Sequence, residues 1–470
     1  MRARVLAVLV WHAALGFVVP RRRVLRPASA CHLLRPGPSA SSIPAERLLS
    51  PEEVEFGQYV GELYITVTDE FEDLLGEGRR VEEASAGTPS TIRLFAGEFG
   101  DASARSRGDD TRVVLKEYTP GACAALARNE RTIRELLRAA PTGLAPSPLV
   151  PLRGYFEIDN ATASDKEFRA AWEANYDVPP PYADTTWLVF GWTGFTTVAT
   201  FAVPAAARAA RLAPRRALGA RAPVPVAPTP WPQSARFTLA IAKGLLESVA
   251  WLHEAGFAHG SIGANSVVID SNRLDKTPLE DVSSSVRVRL SELGYARPLL
   301  APGALQRGDA ARARQFGVDA ADPRARAAFV TAEDLSACGF VLAQLLLGAL
   351  GDEPADGDAA PPPAREEAAL QRVYEDTCLR DFARFRAVCK MEPRWRSATA
   401  LLDREDGAGW ALLEALLGAR QRAAEVTPLL AERQLSLDRT AAPSGGGAGD
   451  GSMLTARALL SNRLFSITRF

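Results

Sequence analysis

A chain of 470 residues, 47% hydrophobic and 24% charged, is long enough for several average domains or one large two-lobed unit with a full apolar core. Its 55 basic and 56 acidic residues leave a net charge of -1, which excludes a nucleic-acid binder acting through bulk electrostatics. The five cysteines, Cys31, Cys123, Cys338, Cys378 and Cys389, form no Cys-x-x-Cys pair, so neither a zinc site nor a disulfide framework is indicated and a reducing compartment is the simpler setting.

Arg2 and Arg4 precede an apolar run from Val5 to Val19, about as long as a signal-peptide core and short for a membrane span. Residues 21–47 follow, rich in Arg, Ser, Ala and Pro, with no acidic residue before Glu46. That composition is transit-peptide-like. The order of the two parts, with Phe17 at the junction, resembles the bipartite leaders of proteins sent to the plastids of algae with secondary plastids. The resemblance implies a targeting leader over 1–45 and a plastid (chloroplast) location. Entry into the secretory pathway alone, or a single anchor, is the alternative.

From Val54 to Val67 apolar and polar residues alternate as in a strand or strand pair. Leu-Leu-Gly-Glu-Gly-Arg-Arg then supplies Gly76 and Gly78, which open either a phosphate-cradling loop or an ordinary turn. Residues 91–100 and 111–119 are the next predicted strands, and the second runs Val113-Val114-Leu115 into Lys116. Glu130 lies in a segment whose Leu126, Ile133, Leu136 and Leu137 mark an amphipathic helix. A lysine on a strand and a glutamate on the next helix can pair across a cleft; singly, each is also an ordinary surface residue.

Two further strands are predicted over 148–158 and 185–195, around an acidic, Ala- and Pro-containing insertion at 159–184. An Ala/Arg/Pro stretch at 196–233 reads as an extended linker. Its Arg208, Arg211, Arg215, Arg216 and Arg221 would either dock an acidic partner or stand in solvent. Helical periodicity resumes with Leu239, Ala242, Leu246, Val249 and Leu252 on one face.

That helix leads into Trp251–Asp270, WLHEAGFAHGSIGANSVVID: a helix end, a glycine turn, a His-led loop and a β-branched strand. The frame resembles protein kinases, whose catalytic loop reads His-Arg-Asp-x-x-x-x-Asn. His259 stands at the His, Gly260 at the Arg, Ser261 at the catalytic Asp and Ser266 at the metal-binding Asn, which Asn265 misses by one place. Other positions follow in family order. Lys116 resembles the strand lysine that holds the phosphates, with Glu130 as its partner; Gly76 and Gly78 fall in the glycine loop, where Val81 takes the third glycine's place. Phe190 narrows the back of the pocket. Glu292-Leu293-Gly294 takes the place of Asp-Phe-Gly, and Asp334 and Gly339 match an Asp-x-x-x-x-Gly whose Asp holds the catalytic-loop backbone. Pro393, Arg396 and Ala398 match a Pro-x-x-Arg-x-Ser/Thr/Ala turn; the Ala-Pro-Glu that normally meets the arginine is missing, and Glu333 is the carboxylate expected instead.

The resemblance implies an α+β, bilobal protein-kinase-like fold: a small antiparallel β lobe plus one helix over 54–195, and a larger, mainly helical lobe over 234–435. It implies ATP and Mg as cofactors, nucleotide contacts from Gly76, Gly78, Lys116 and Glu130, metal positions at Glu292, Ser266 and Asn265, and a degenerate base position at His259 and Ser261. A serine cannot take up a proton at neutral pH as a carboxylate does, and a positioned base contributes roughly 10²–10⁴-fold. Glu292 sets its carboxylate one methylene further out than an Asp, against a metal that demands near-octahedral geometry at about 2.1 Å. The expectation is a nucleotide-binding pseudokinase acting as a regulatory or scaffolding module on a protein partner. The alternatives are a divergent active Ser/Thr kinase, in which Glu292 holds the metal and another carboxylate is the base, and a fold that binds no nucleotide.

Residues 436–470 read as a flexible Gly-rich linker and a basic amphipathic end, in which Leu454, Leu459, Leu460, Phe465 and Ile467 alternate with Arg457, Arg463 and Arg469. A membrane surface, a partner and the chain's own lobe are all open as its docking place.

Overall fold

The alternating segments of the first half pair into one sheet. A computed structural model of the protein describes residues 47–49, 53–64, 91–99, 111–139, 147–175, 179–193, 196–202, 231–270, 286–299, 312–319, 321–352, 367–423 and 454–467. Strands β1 (Arg47–Leu48), β2 (Val54–Tyr64), β3 (Thr91–Phe99) and β4 (Arg112–Tyr118) come first, then helix α1 (Ala122–Ala139) and strand β5 (Leu152–Ile158). Helices α2 (Asn160–Ser164) and α3 (Lys166–Asn175) lead to β6 (Thr185–Gly191). The six strands lie in the order β1-β5-β6-β4-β3-β2. Five of them are antiparallel to their neighbours; β1 runs parallel to β5, so the sheet is mixed where an antiparallel one was expected. The short edge strand is fixed by the Leu49 N–H, which donates to the Tyr155 carbonyl at 2.8 Å.

The twofold period of β4 assigns its side chains to two faces. Val113 and Leu115 point to one, among Phe95, Phe156, Trp187 and Val189. Tyr118 points to the other, among Leu94, Leu188 and Phe190 and the Ala122, Cys123, Leu126 and Ala127 of α1. Lys116 shares that second face by register, opposite Leu94 and Leu188. The 159–184 segment is no mere insertion. Its Trp172 is buried on the first face, 5.3 Å from the Phe56 ring and 5.8 Å from Phe95, so α2 and α3 close the outer side of the sheet.

Beyond the sheet the chain is mostly helical. The short helix α4 (Val198–Phe201) precedes α5 (Trp231–Glu254), β7 (Phe257–Ala258), β8 (Val267–Asp270), β9 (Arg287–Leu290) and β10 (Arg297–Pro298). Helix α6 (Pro323–Ala349) opens with proline in its first turn and with Asp322 accepting the Arg324 and Ala325 N–H groups. Among the described residues it is the one helix long and apolar enough to cross a membrane, but 89% of its most apolar stretch is buried inside the protein. It is the centre of the helical core, with Leu335, Val341, Leu342 and Leu345 fully enclosed. Around it lie α7 (Glu367–Arg372), α8 (Phe382–Met391), α9 (Arg396–Leu402) and α10 (Arg404–Leu417).

The C-terminal segment packs on this helical part through α11 (Ala456–Leu459). Leu464 is fully buried and Leu459 nearly so, while Arg457 pairs with Glu254 at 2.7 and 2.9 Å. Leu454, Leu460, Phe465 and Ile467 are partly buried against the same core, so the apolar side of the segment packs on the chain's own helical part. The arginine expected to meet Glu333 also turns out differently. Arg396 is exposed, and Glu333 pairs instead with Arg420 at 2.7 Å. Gly76, Gly78, the leader over 1–45 and the arginines from Arg208 to Arg221 lie outside the described residues.

Candidate functional site

The start of the His-led loop is held from below by a carboxylate. Asp334, buried in α6, accepts the backbone N–H of His259 at 2.7 Å and of Gly260 at 2.9 Å, and His253 Nε2 lies 3.0 Å from its Oδ2. Burial alone would raise this carboxyl; the hydrogen bond and charge of His253, with His259, outweigh it and hold the Asp334 pKa below its ordinary value. Asp334 thus holds the loop backbone, the task that the resemblance implied for it.

His259 is fully buried, and its Nε2–H donates to the Ser291 carbonyl at 2.9 Å, which leaves Nδ1 as an acceptor facing Ser261. Burial pushes its pKa down, against the pull of Asp334, so the ring is neutral at pH 7. Gly260 has φ +75°, and a Cβ there would sit 2.6 Å from the Tyr295 carbonyl oxygen. Backbone fills the space a side chain would need there, so the residue type follows from packing and from the positive φ.

Ser261 lies above this base. Its Oγ is 3.4 Å from His259 Nδ1 and donates to the Glu292 carbonyl at 3.3 Å. Glu292 itself takes a left-handed backbone, φ 65° and ψ 51°, an uncommon conformation for a residue with a Cβ. Its carboxylate reaches across to the sheet, where Oε1 lies 3.5 Å from Lys116 Nζ. Lys116, Glu292, Ser261 and His259 therefore meet at one place, between the inner face of the sheet and the loop.

Glu130 belongs to the same neighbourhood but has another partner. Its Oε1 accepts from Arg134 at 2.9 Å, one turn along α1, while Arg134 also donates to the Val150 carbonyl at 2.8 Å. The expected Lys116–Glu130 pair is replaced by two pairs, Lys116–Glu292 and Arg134–Glu130. Both cations lie over one ring, that of Phe190, with Lys116 Nζ 5.3 Å and Arg134 Cζ 5.4 Å from its centroid. Tyr118 reports the local field: burial first, then the carboxylates of Glu130 and Glu292, push its phenol well above the usual range.

The chain fits a kinase-type magnesium pair poorly. The Ser266 hydroxyl accepts the Gly263 N–H at 3.0 Å and bonds the Gly263 and Ser261 carbonyls at 3.0 and 3.4 Å, so it belongs to the loop's own turn. Glu292 is already matched by Lys116. Asn265 Oδ1 is buried and has no hydrogen-bond partner, a single spare oxygen. Among the described residues no three His, Cys, Asp or Glu side chains gather as a metal cluster.

Three contributors were not singled out in the sequence. Asn129 donates from Nδ2 to the Gly294 and Ala296 carbonyls at 2.7 and 2.9 Å, tying α1 to the turn after Glu292. Arg134 carried a visible signal, the i,i+4 spacing from Glu130. Glu367 carried none. Its Oε2 accepts the Ala264 N–H at 3.0 Å beneath the loop, and burial, partly offset by that bond, raises its carboxyl to about 7. No protein-family model matches the chain, and no curated protein matches it.

Proposed function

We propose that the protein is a protein-kinase-like pseudoenzyme that binds an adenine nucleotide between its sheet and its helical core, and that acts by presenting a conformation to a protein partner. The observation that carries this reading is the convergence of Lys116, Glu292, Ser261 and His259 over a loop held by Asp334. Phosphoryl transfer from that arrangement lacks its working parts. Ser261 offers a hydroxyl that is already donating, His259 is neutral with Nε2–H engaged, and the Ser266 hydroxyl is bonded into the loop's own turn. Without a base, a kinase of typical turnover, about 1–100 per second, loses roughly 10²–10⁴-fold. The leader over 1–45 directs the chain to a plastid in this reading, and the first 45 residues fused to a fluorescent protein test that part.

The experiment for the binding claim is a melting curve of the full chain with and without adenine nucleotide, run beside Lys116→Ala. The reading expects a ligand-dependent rise that shrinks in the variant. A flat response in both proteins overturns it. One observation favours a second reading, an active divergent kinase: Glu367 is a carboxyl with a raised pKa set against the loop. That reading expects label transfer from ATP that disappears in Glu367→Gln.

A further inference from the structure

The candidate site, around the Phe190 ring, pairs two cations with two anions. Lys116 and Arg134 are its two cations, with side chains 9% and 6% exposed. Each already has a carboxylate, Glu292 and Glu130 respectively. Of the four groups the most exposed is an anion: the Glu292 side chain is 26% open, against 1% for Glu130. A phosphate approaching Lys116 must therefore displace or face Glu292, and desolvating a polyanion beside an unneutralised carboxylate is costly.

Resting on the binding reading above, we propose that Glu292 is an internal anion occupying the phosphate position of Lys116, so that the site selects weakly charged ligands, a nucleoside over its triphosphate. The methylene that separates Glu from Asp supports this. It lets the carboxylate span from the loop to Nζ, where the shorter side chain of the family would stay nearer the loop. The backbone of Glu292 is fixed from below by Ser261 and, through the following turn, by Asn129, so the carboxylate is directed at the lysine by the fold. Glu292 thus acts as a specificity-determining residue, and the divalent cation has no role in holding the ligand.

The test is calorimetric titration of the full chain, wild type and Glu292→Gln, with adenosine, with ATP in chelator and with ATP plus magnesium. Wild type is expected to bind adenosine at least as tightly as ATP, with no gain from magnesium. Glu292→Gln is expected to bind ATP about ten-fold more tightly, about 1.4 kcal/mol, and so to raise the ratio of ATP to adenosine affinity by about that factor. A far-ultraviolet circular dichroism spectrum and a cooperative melting curve like those of wild type show that the variant is folded, and Glu292→Ala should move ATP in the same direction. Magnesium-dependent ATP binding that Glu292→Gln weakens overturns the proposal and leaves the binding reading standing, since Glu292 would then be a metal ligand. Absence of any binding to either protein overturns both.

Discussion

Asp334 concentrates more of the site's order than any other side chain. It accepts two backbone N–H groups of the loop and a His253 nitrogen from a fully dry position, 2% exposed. Asp334→Ala leaves those three donors without their acceptor, at about 1–3 kcal/mol each where buried, so urea unfolding should show a loss of at least about 3 kcal/mol. Because its folded pKa is depressed, the stabilisation it gives is present above the ordinary carboxylate range and is lost as pH falls through the lower folded value. Glu367 has the opposite sign. Its pKa is raised to about 7 from 4.5, so its contribution is full below the unfolded value and is lost as pH rises toward 7. Glu367→Gln keeps an acceptor for the Ala264 N–H and removes the titration. Its stability relative to wild type should therefore rise between pH 4.5 and 7.5, by on the order of 2 kcal/mol, measured by melting at each pH. At this scale the sequence was partly legible. Lys116, His259, Ser261 and Glu292 were identified by order and spacing, but ion-pair partners depend on side-chain reach. Arg134, anchored by the Val150 carbonyl, claims Glu130 before Lys116 can. The i,i+4 spacing marks the Arg134–Glu130 pair, but nothing linear says that it prevails over Lys116.

Elements were legible wherever periodicity was long. Strands β3, β4 and β6, helix α1 and the helix leading to the loop fall where alternation and the 3.6-residue period put them. The 159–184 segment was not, because two short helices carry too few turns to show a period and their Ala- and acid-rich composition resembles a solvated loop. Burial of a single ring, Trp172, makes the segment part of the core. Trp172→Ala should cost about 3–5 kcal/mol in equilibrium unfolding, whereas an ordinary surface insertion would tolerate the change within about 0.5 kcal/mol. The C-terminal segment was legible as amphipathic but not as to what it covers, since the same pattern suits a lipid surface and a lobe. Leu464→Asp places an unpaired charge in a fully buried position and should lower stability by more than about 2 kcal/mol. Arg457→Ala, which breaks an exposed pair with Glu254, should change it by less than about 1 kcal/mol. A chemical denaturation series on the two variants measures both.

On the scale of the whole molecule, two packed regions meet at the candidate site. The sheet offers Lys116 and Phe190, the helical part offers the Asp334-held loop, and Glu292 spans the distance between them. Backbone ties join the regions beside the site: the Val150 N–H donates to the Leu290 carbonyl and the Leu290 N–H to the Pro148 carbonyl, both at 2.9 Å. The mixed α+β architecture was legible from the order of strands and helices. What the linear chain concealed is that the remaining acid, Glu292, is already matched by Lys116. The proposed function is binding without transfer, and its most direct test is prolonged incubation of the full chain with terminally labelled ATP and magnesium, beside Lys116→Ala. It predicts no label on the protein or an added substrate above that control. Incorporation that Lys116→Ala abolishes would contradict it.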